Sequence, residues 1–323
     1  MNERNWLAVV TTALFALVSV PASADPSTLD PTIGYNYSEI EIPRHAATGG
    51  AQRALGTSIG GLFVNPANIA IGRVYHVGAF VQLWPEASRQ SYGAAASDSL
   101  LSSSRLAGAA GVTQNFQDPD GVDREWTDVR FALAYPFSDQ LFFGVGGRYM
   151  WLEQNGGGPL SSTEASSGLR DEDIVNTVSF DGGVTLKATP ELSIAVVGNN
   201  LGNPGHGLLP TSVGGGIGFG RNQFAIEADV VADFTTWNET KLRAMAGLEM
   251  LLAQRIALRG GYRYDQGAES HALSFGVGYI ERAFLIDVGA RRVISGDTAT
   301  ALVLGFTYHL ETTGLAPSPA DTF

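Results

Sequence analysis

The sequence predicts an all-β protein, namely a transmembrane antiparallel up-and-down β-barrel of about 14 strands with an N-terminal plug segment in its lumen. Segments of roughly ten residues alternate apolar with polar or small side chains, and turn residues separate these segments. The connections between them alternate between short and long. The chain has 40 Gly, no Cys and only 16% charged residues, a composition that is unusual for a cytosolic enzyme and for a disordered chain.

Residues 1–24 are predicted to be a secretory signal peptide. Arg4 precedes an apolar run from Trp6 to Val20, and Ala22-Ser23-Ala24 matches the small-residue pattern of a cleavage site. A membrane anchor is the alternative, but the apolar run is short for one. We expect the mature protein to begin at Asp25 and to reach the bacterial outer membrane, where its outer face would contact lipid.

Residues 25–72 do not alternate as strands do, because four prolines interrupt them and a Gly- and Ala-rich run extends from Ala46 to Gly61. We expect this segment to be a plug that packs inside the barrel or beneath it, on the periplasmic side. The barrel itself is expected to span residues 73–310. Residues 311–323 would then form a C-terminal tail.

Charged residues fall on one face of the predicted strands. In the segment Arg255–Tyr264, Ile256 and Leu258 point to one side and Arg259 to the other, because successive strand side chains point oppositely. We expect the apolar face to meet lipid and the charged face to line the lumen. Cross-strand ion pairs are expected there, since an unpaired buried charge is costly; a polar path through a channel is the alternative. The lumen charges are Glu227, Asp229, Arg243, Glu249, Arg259, Arg263, Asp287 and Arg291.

Connection lengths support the same topology, because outer-membrane barrels have short periplasmic turns and longer outer loops. Short connections are predicted near 138–139, 189–190, 220–221, 253–254 and 281–282, and longer ones near 117–125, 153–174, 200–210, 232–240 and 265–269. An even strand number requires a strand near Arg89–Ala96, which gives about 14 strands, and 12 strands are the alternative. A two-sheet sandwich would also alternate, but its outer face should be polar.

The sequence contains no pattern that predicts catalysis, a cofactor or a metal site. The five His residues are scattered, and neither an HExxH pair nor a GxSxG elbow is present. The glycine run Gly214–Gly220 alternates as a strand and lacks the lysine of a phosphate-binding loop. A net charge of −12 argues against a nucleic-acid partner. We therefore predict a protein that is not an enzyme.

The stretch Ala54–Ile71, ALGTSIGGLFVNPANIAI, resembles the N-terminal signature of the long-chain fatty-acid transporter (FadL) superfamily. In that superfamily a run of small residues leads into Asn-Pro-Ala, which here is Asn65, Pro66 and Ala67. The resemblance implies a hatch that plugs the lumen of a porin-like barrel. It also implies transport of hydrophobic small molecules, with possible ligand contacts at Leu62, Phe63 and Val64.

A second stretch, Thr177–Gly205, together with the following FAIEADVV and LRAMAGLEMLLAQRIALRGGYRYD, resembles the PorV and PorQ branch of the same superfamily. This resemblance implies an alternative function, in which the barrel does not transport but binds or shuttles secreted proteins at the cell surface. The two hypotheses predict different partners, a hydrophobic small molecule or a secreted protein. The predicted outer loops are mostly short and polar apart from 153–174, which slightly disfavours fatty-acid uptake.

Overall fold

The computed structural model describes residues 41–102, 104–117, 123–155, 173–203, 209–237 and 239–310. The predicted signal peptide, residues 25–40 of the predicted plug and the predicted tail lie outside these ranges. The described chain begins with two short helices, α1 (Pro43–Ala47) and α2 (Ile59–Val64), and a 3-10 helix at Pro66–Ala70. Within the described ranges, no helix is both long and apolar enough to cross a membrane.

Fourteen antiparallel strands follow, and each pairs with its neighbours in sequence. The first strand also pairs with the last, so the sheet closes into a barrel without free edges. This confirms the predicted fold class and the count of 14, and the alternative of 12 strands is wrong. The strands are β1 (Tyr75–Trp84), β2 (Arg89–Asp98), β3 (Ala107–Gln117), β4 (Asp123–Pro136), β5 (Leu141–Asn155), β6 (Asp173–Lys187), β7 (Leu192–Asn199), β8 (Ser212–Arg221), β9 (Phe224–Asp233), β10 (Lys241–Leu252), β11 (Ile256–Asp265), β12 (Ser270–Ile280), β13 (Phe284–Ser295) and β14 (Thr300–His309).

Burial along the strands alternates with a period of two, as the sequence pattern predicts. On β10, Arg243 and Glu249 are buried, whereas Leu242 and Leu248 are 48% and 44% exposed. The buried face of each strand points into the closed ring and the apolar face points outward. A two-sheet sandwich is therefore wrong, and the lumen is the polar side of the wall.

The two ends of the barrel differ in their connections. Five connections of two to four residues lie at one end, which we call the short-turn end. From β3 onward, four connections of five or more residues and two of four residues, 266–269 and 296–299, lie at the opposite, long-loop end. The first two connections reverse this trend, because 85–88 is short at the long-loop end and 99–106 is longer at the short-turn end. The side chain of Ser99 in that longer connection accepts from the Val74 backbone N–H at 2.9 Å, which ties it to the start of β1.

Candidate functional site

Residues 41–72, which we call the inner segment, contact strands on opposite sides of the ring. Helix α1 packs against β11 to β14, helix α2 against β1 to β4, and the 3-10 helix against β3 to β6. Strands β5 and β12 face each other across a ring of 14 strands. A short stretch that touches both sides through their buried faces must therefore cross the interior of the barrel.

Inward-facing glycines make room for the inner segment. A Cβ atom at Gly261 would overlap the backbone of Thr48 and Gly49, and one at Gly144 would overlap the Pro66–Ala67 peptide. Because the obstructing atoms are backbone, a side-chain rotation cannot relieve either overlap. Glycines at the same kind of inward position occur all around the ring, at Gly78, Gly111, Gly183, Gly247, Gly276, Gly289 and Gly305.

The glycine run on β8 serves the same purpose. Gly214, Gly216 and Gly218 are buried and alternate along the strand. Arg53 and Leu55 of the inner segment lie against them, and a Cβ at Gly214 would come within 2.6 Å of the Arg53 Nε. Glycine at these positions permits the close approach of another part of the chain.

Two carboxylates on β9 bind the backbone of the inner segment. Asp229 Oδ2 accepts from the backbone N–H groups of Gln52 and Arg53 at 3.0 Å each, and it pairs with the Arg53 guanidinium at 3.2 Å. Glu227 accepts from the N–H groups of Ala54 and Leu55 at 2.5 and 3.1 Å. Four consecutive backbone donors, which are costly to bury unbonded, are thus satisfied by one strand.

Further ion pairs hold the α1 side of the inner segment. Arg44 pairs with Glu249 at 3.0 Å, and Glu249 also binds Arg259. Arg259 in turn pairs with Asp287 at 2.6 Å across β12. Glu41 binds Arg291 and lies 3.6 Å from Arg263.

All eight sequence-predicted lumen charges are buried on the inner face. Cross-strand pairs join Glu249, Arg259 and Asp287, and Arg243 pairs with Asp265 at 3.0 Å. Glu227, Asp229, Arg263 and Arg291 instead bind residues of the inner segment. The expected ion pairs between barrel strands therefore form only part of the network. Much of it consists of bonds between the strands and the inner segment.

Sequence reasoning did not find the partners that the inner segment supplies. Glu41, Arg44 and Arg53 lie in a part of the chain without periodicity, which gives no signal for the direction of a side chain. It also did not find the buried cluster in which Asp128 binds Arg130 at 3.3 Å and Arg148 at 2.5 Å. Strand alternation puts Arg130 and Arg148 opposite the apolar face, and the same alternation puts Asp128 beside them.

The Asn-Pro-Ala motif fixes the turn between α2 and the 3-10 helix. The Asn65 side chain accepts from the Ala67 N–H at 3.1 Å and donates to the Arg53 carbonyl at 2.8 Å and to Thr185 Oγ1 at 2.9 Å. Pro66 occupies the first helical position, where its missing N–H is not needed. The motif therefore joins the 3-10 helix, the Arg53 loop and strand β6.

Replacement of Asn65 by Ala is expected to loosen this junction by about 1–3 kcal/mol, since a cap is lost and buried polar groups lose partners. Hydrogen exchange of the backbone amides around Arg53 and Ala67 should become faster, which mass spectrometry would measure. Asn176→Ala is the matched control, because Asn176 lies on the outward face of β6, the strand that Asn65 contacts through Thr185. Unchanged exchange in Asn65→Ala would contradict this role for the motif.

The predicted ligand contacts do not share one environment. Leu62 and Phe63 are buried in an apolar cluster with Ile69 and Phe80, where the Phe63 and Phe80 rings meet edge to face at 5.6 Å. Val64 is partly buried and packs against this cluster. Phe63 and Val64 also border a cavity, whereas Leu62 packs within the cluster.

Two cavities adjoin the inner segment. One, of about 40 Å³, lies on its long-loop side and is polar, with Arg53, Arg130, Arg148 and Arg243 in its lining beside Phe63 and Val64. The other, of about 120 Å³, lies at the short-turn end between the inner segment and strands β6 to β10. In the part of the chain that the structure covers, no three His, Asp or Glu side chains gather as metal ligands would.

Comparison with known proteins gives structural matches only. No protein-family model and no curated protein matches the chain. The crystal structure of the Ralstonia pickettii toluene transporter TbuX matches with a TM-score of 0.63 at 16% identity, over 86% of this chain and 100% of that chain. The monoaromatic hydrocarbon channel CymD matches with a TM-score of 0.64 at 12% identity, over 86% and 99%. A Pseudomonas aeruginosa FadL homologue matches with a TM-score of 0.60 at 10% identity, over 83% and 97%.

At these identities the likeness concerns the path of the backbone. The matched proteins are covered almost completely, so the whole barrel is compared rather than one hairpin. The chain therefore has the same closed barrel fold as a toluene transporter and a monoaromatic hydrocarbon channel.

Proposed function

We propose that the protein is an outer-membrane transporter or channel for hydrophobic small molecules, in which the inner segment plugs the lumen. The observation that carries the proposal is the combination of an apolar outer wall with a segment packed into a ring of inward glycines. The fold that it shares with hydrocarbon transporters and channels gives the ligand class. The hatch that the resemblance of Ala54–Ile71 implies corresponds to this segment.

The outer wall supports a place in a membrane. On β4, Val129, Phe131, Leu133 and Tyr135 point outward and are 39 to 54% exposed. The outward positions toward the long-loop end are polar, since Glu125 accepts there from Gln114 at 2.7 Å. The apolar stretch from Val129 to Phe137 covers about 27 Å along the strand, which is about 21 Å along the barrel axis at a strand tilt of about 40°. Outer-membrane barrels have an apolar band of about 25 Å. An apolar belt of this extent would be a liability in water.

Leu133→Arg is expected to lower the free energy of unfolding in lipid vesicles by about 2–4 kcal/mol, because it puts a charge on the lipid face. Thr127→Arg, at the polar edge of the same strand, should cost about 0–1 kcal/mol. Denaturant unfolding of both variants in vesicles measures the difference. Equal costs at the two positions would argue against a lipid belt on β4.

Transport itself is tested by uptake of an isotope-labelled alkylbenzene into vesicles with a lipopolysaccharide outer leaflet, a barrier that slows unassisted entry of apolar solutes. We expect faster uptake with the protein than with a barrel of the same size whose lumen is closed. Faster migration of the unheated protein in a gel would show that the reconstituted barrel is folded. Uptake no faster than in the closed-barrel control would overturn the proposal.

The alternative function, a PorV-like barrel that binds or shuttles secreted proteins, stays a prediction. It predicts an impermeable barrel that is recovered from detergent-solubilised membranes together with a secreted protein. Pull-down from such membranes, combined with the uptake assay, separates the two functions. Uptake without a bound protein favours transport, and a bound protein without uptake favours the alternative.

A further inference from the structure

We propose that the cavity at the short-turn end is a binding site for a small carboxylate with a compact apolar body, such as an aromatic ring, and that Lys187 pairs with the carboxylate. The site lies at the opposite side of the inner segment from the polar cavity that Phe63 and Val64 border. Binding of a carboxylate in this cavity does not depend on transport through the barrel. The inference therefore goes beyond the proposed function and can be tested apart from it.

The size and lining of the cavity set the apolar part of the ligand. Its volume is about 120 Å³, and Leu55, Ile71 and Leu251 contribute apolar side chains to its wall. An engineered protein cavity of about 150 Å³ with an apolar lining binds benzene. A single ring is thus close to the upper limit of what this volume holds.

Lys187 sets the charge of the ligand. It follows Gly183 and Thr185 at alternate positions on β6, and both of these are buried on the inner face, so Lys187 points inward and lines the cavity. Its ammonium group lies 5.9 Å from the centre of the Phe142 ring. Among the described residues, no carboxylate oxygen comes within 4.0 Å of it, whereas Arg44, Arg53 and Arg259 all bind carboxylates on the same inner face.

Of the other charges at the cavity, those of Arg44 and Glu249 are paired, because Glu249 binds both Arg44 and Arg259. Glu191 also lines the cavity and keeps its negative charge, since the Thr189 hydroxyl that donates to it at 3.3 Å is neutral. Lys187 is therefore the cation at this cavity that pairs with no carboxylate among the described residues. A half-buried ammonium without a counter-ion is costly to desolvate, and a bound carboxylate offsets that cost.

The test is benzoate binding to the purified full-length protein in lipid nanodiscs, measured by equilibrium dialysis of the labelled compound. Benzyl alcohol, which has the same ring and no charge, is the ligand control. We expect Lys187→Met to weaken benzoate binding about tenfold, as the loss of one charge-assisted contact implies. Lys241→Met, which removes the other lysine of the chain at the long-loop end, should leave binding unchanged.

A second variant keeps the test independent of the lysine. Ala225 lines the cavity from β9, and Ala225→Phe should fill the space and abolish benzoate binding while the barrel keeps its fast-migrating, folded form in gels. The proposal is overturned if the native protein does not bind benzoate, if benzyl alcohol binds as tightly, or if Lys187→Met and Lys241→Met bind alike. None of these results depends on whether hydrocarbon uptake succeeds.

Discussion

Gly261→Val is expected to displace the inner segment and to open the barrel to hydrophilic solutes. The Cβ atom of the new side chain would overlap the backbone between Thr48 and Gly49. Because the obstructing atoms are backbone, rotation of a side chain cannot relieve the overlap. Overpacking of this kind costs about 1–3 kcal/mol. The ratio of molecules with a displaced inner segment to molecules with the segment in place should therefore rise by about fivefold to 150-fold.

The neighbouring residue provides a matched control. A Cβ at Gly260 would meet only the Ser274 carbonyl oxygen at 3.9 Å, so Gly260→Val changes the same strand and spares the inner segment. The measurement is efflux of a small hydrophilic dye from liposomes, with trypsin cleavage after the buried Arg53 as a second readout. Both should increase in Gly261→Val alone. Equal leakage from the two variants would point to a damaged wall, and no leakage from Gly261→Val would refute the plug.

Strand alternation made most of the wall predictable. Each strand has one face toward lumen and one outward, so the positions of charges such as Arg259 and Glu249 follow from a period of two. The strand near Arg89–Ala96 is predicted from the even-number rule, and small residues fill the second half of β2, which lies there. Closure explains why the number is even, since an odd number of strands would leave a parallel seam or a free edge. The strand pairing distinguishes 14 strands from 12.

The sequence predicts where the inner segment lies in the chain, but it does not predict which strand residues the segment contacts. Prolines and glycines predict that residues 25–72 are not strand, and the described part, residues 41–72, contains no strand. Nothing local indicates that Arg53 meets Asp229, which lies 176 positions away. The same limit applies to Glu227 and Asp229. Their inward direction follows from alternation, but their partners are backbone N–H groups, which every residue except proline carries, so no residue type marks them.

The two sides of the inner segment are held by different forces. Toward β1 to β4, α2 packs through Ile59, Leu62 and Phe63 in an apolar cluster. Toward β8 to β10, the segment is held by the β9 carboxylates and by Arg44 with Glu249. Apolar packing is not directional, whereas buried ion pairs fail abruptly when one partner is lost. Release of the inner segment should therefore begin on the β8 to β10 side, while α2 stays packed against β1 to β4.

Asp229→Asn tests this order of release. The change keeps the size of the side chain but removes the carboxylate that pairs with the buried Arg53 guanidinium. Breaking one partner of a buried pair costs about 3–5 kcal/mol. We expect hydrogen exchange of the amides of residues 51–55 to accelerate at least a hundredfold, as roughly 3 kcal/mol implies, while the amides of α2 stay protected.

Two further variants make the outcome specific. Asp265→Asn breaks the pair with Arg243, which joins two wall strands at 3.0 Å, so it should weaken the barrel without exposing residues 51–55. Adding Arg53→Met to Asp229→Asn should restore much of the protection, because removing both charges leaves no buried cation behind. If Asp265→Asn exposes residues 51–55 as strongly as Asp229→Asn does, the carboxylates stabilise the whole barrel rather than the seat of the segment. If only Asp229→Asn does so, the contacts of Asp229 are ones that any ligand must displace to move this part of the inner segment.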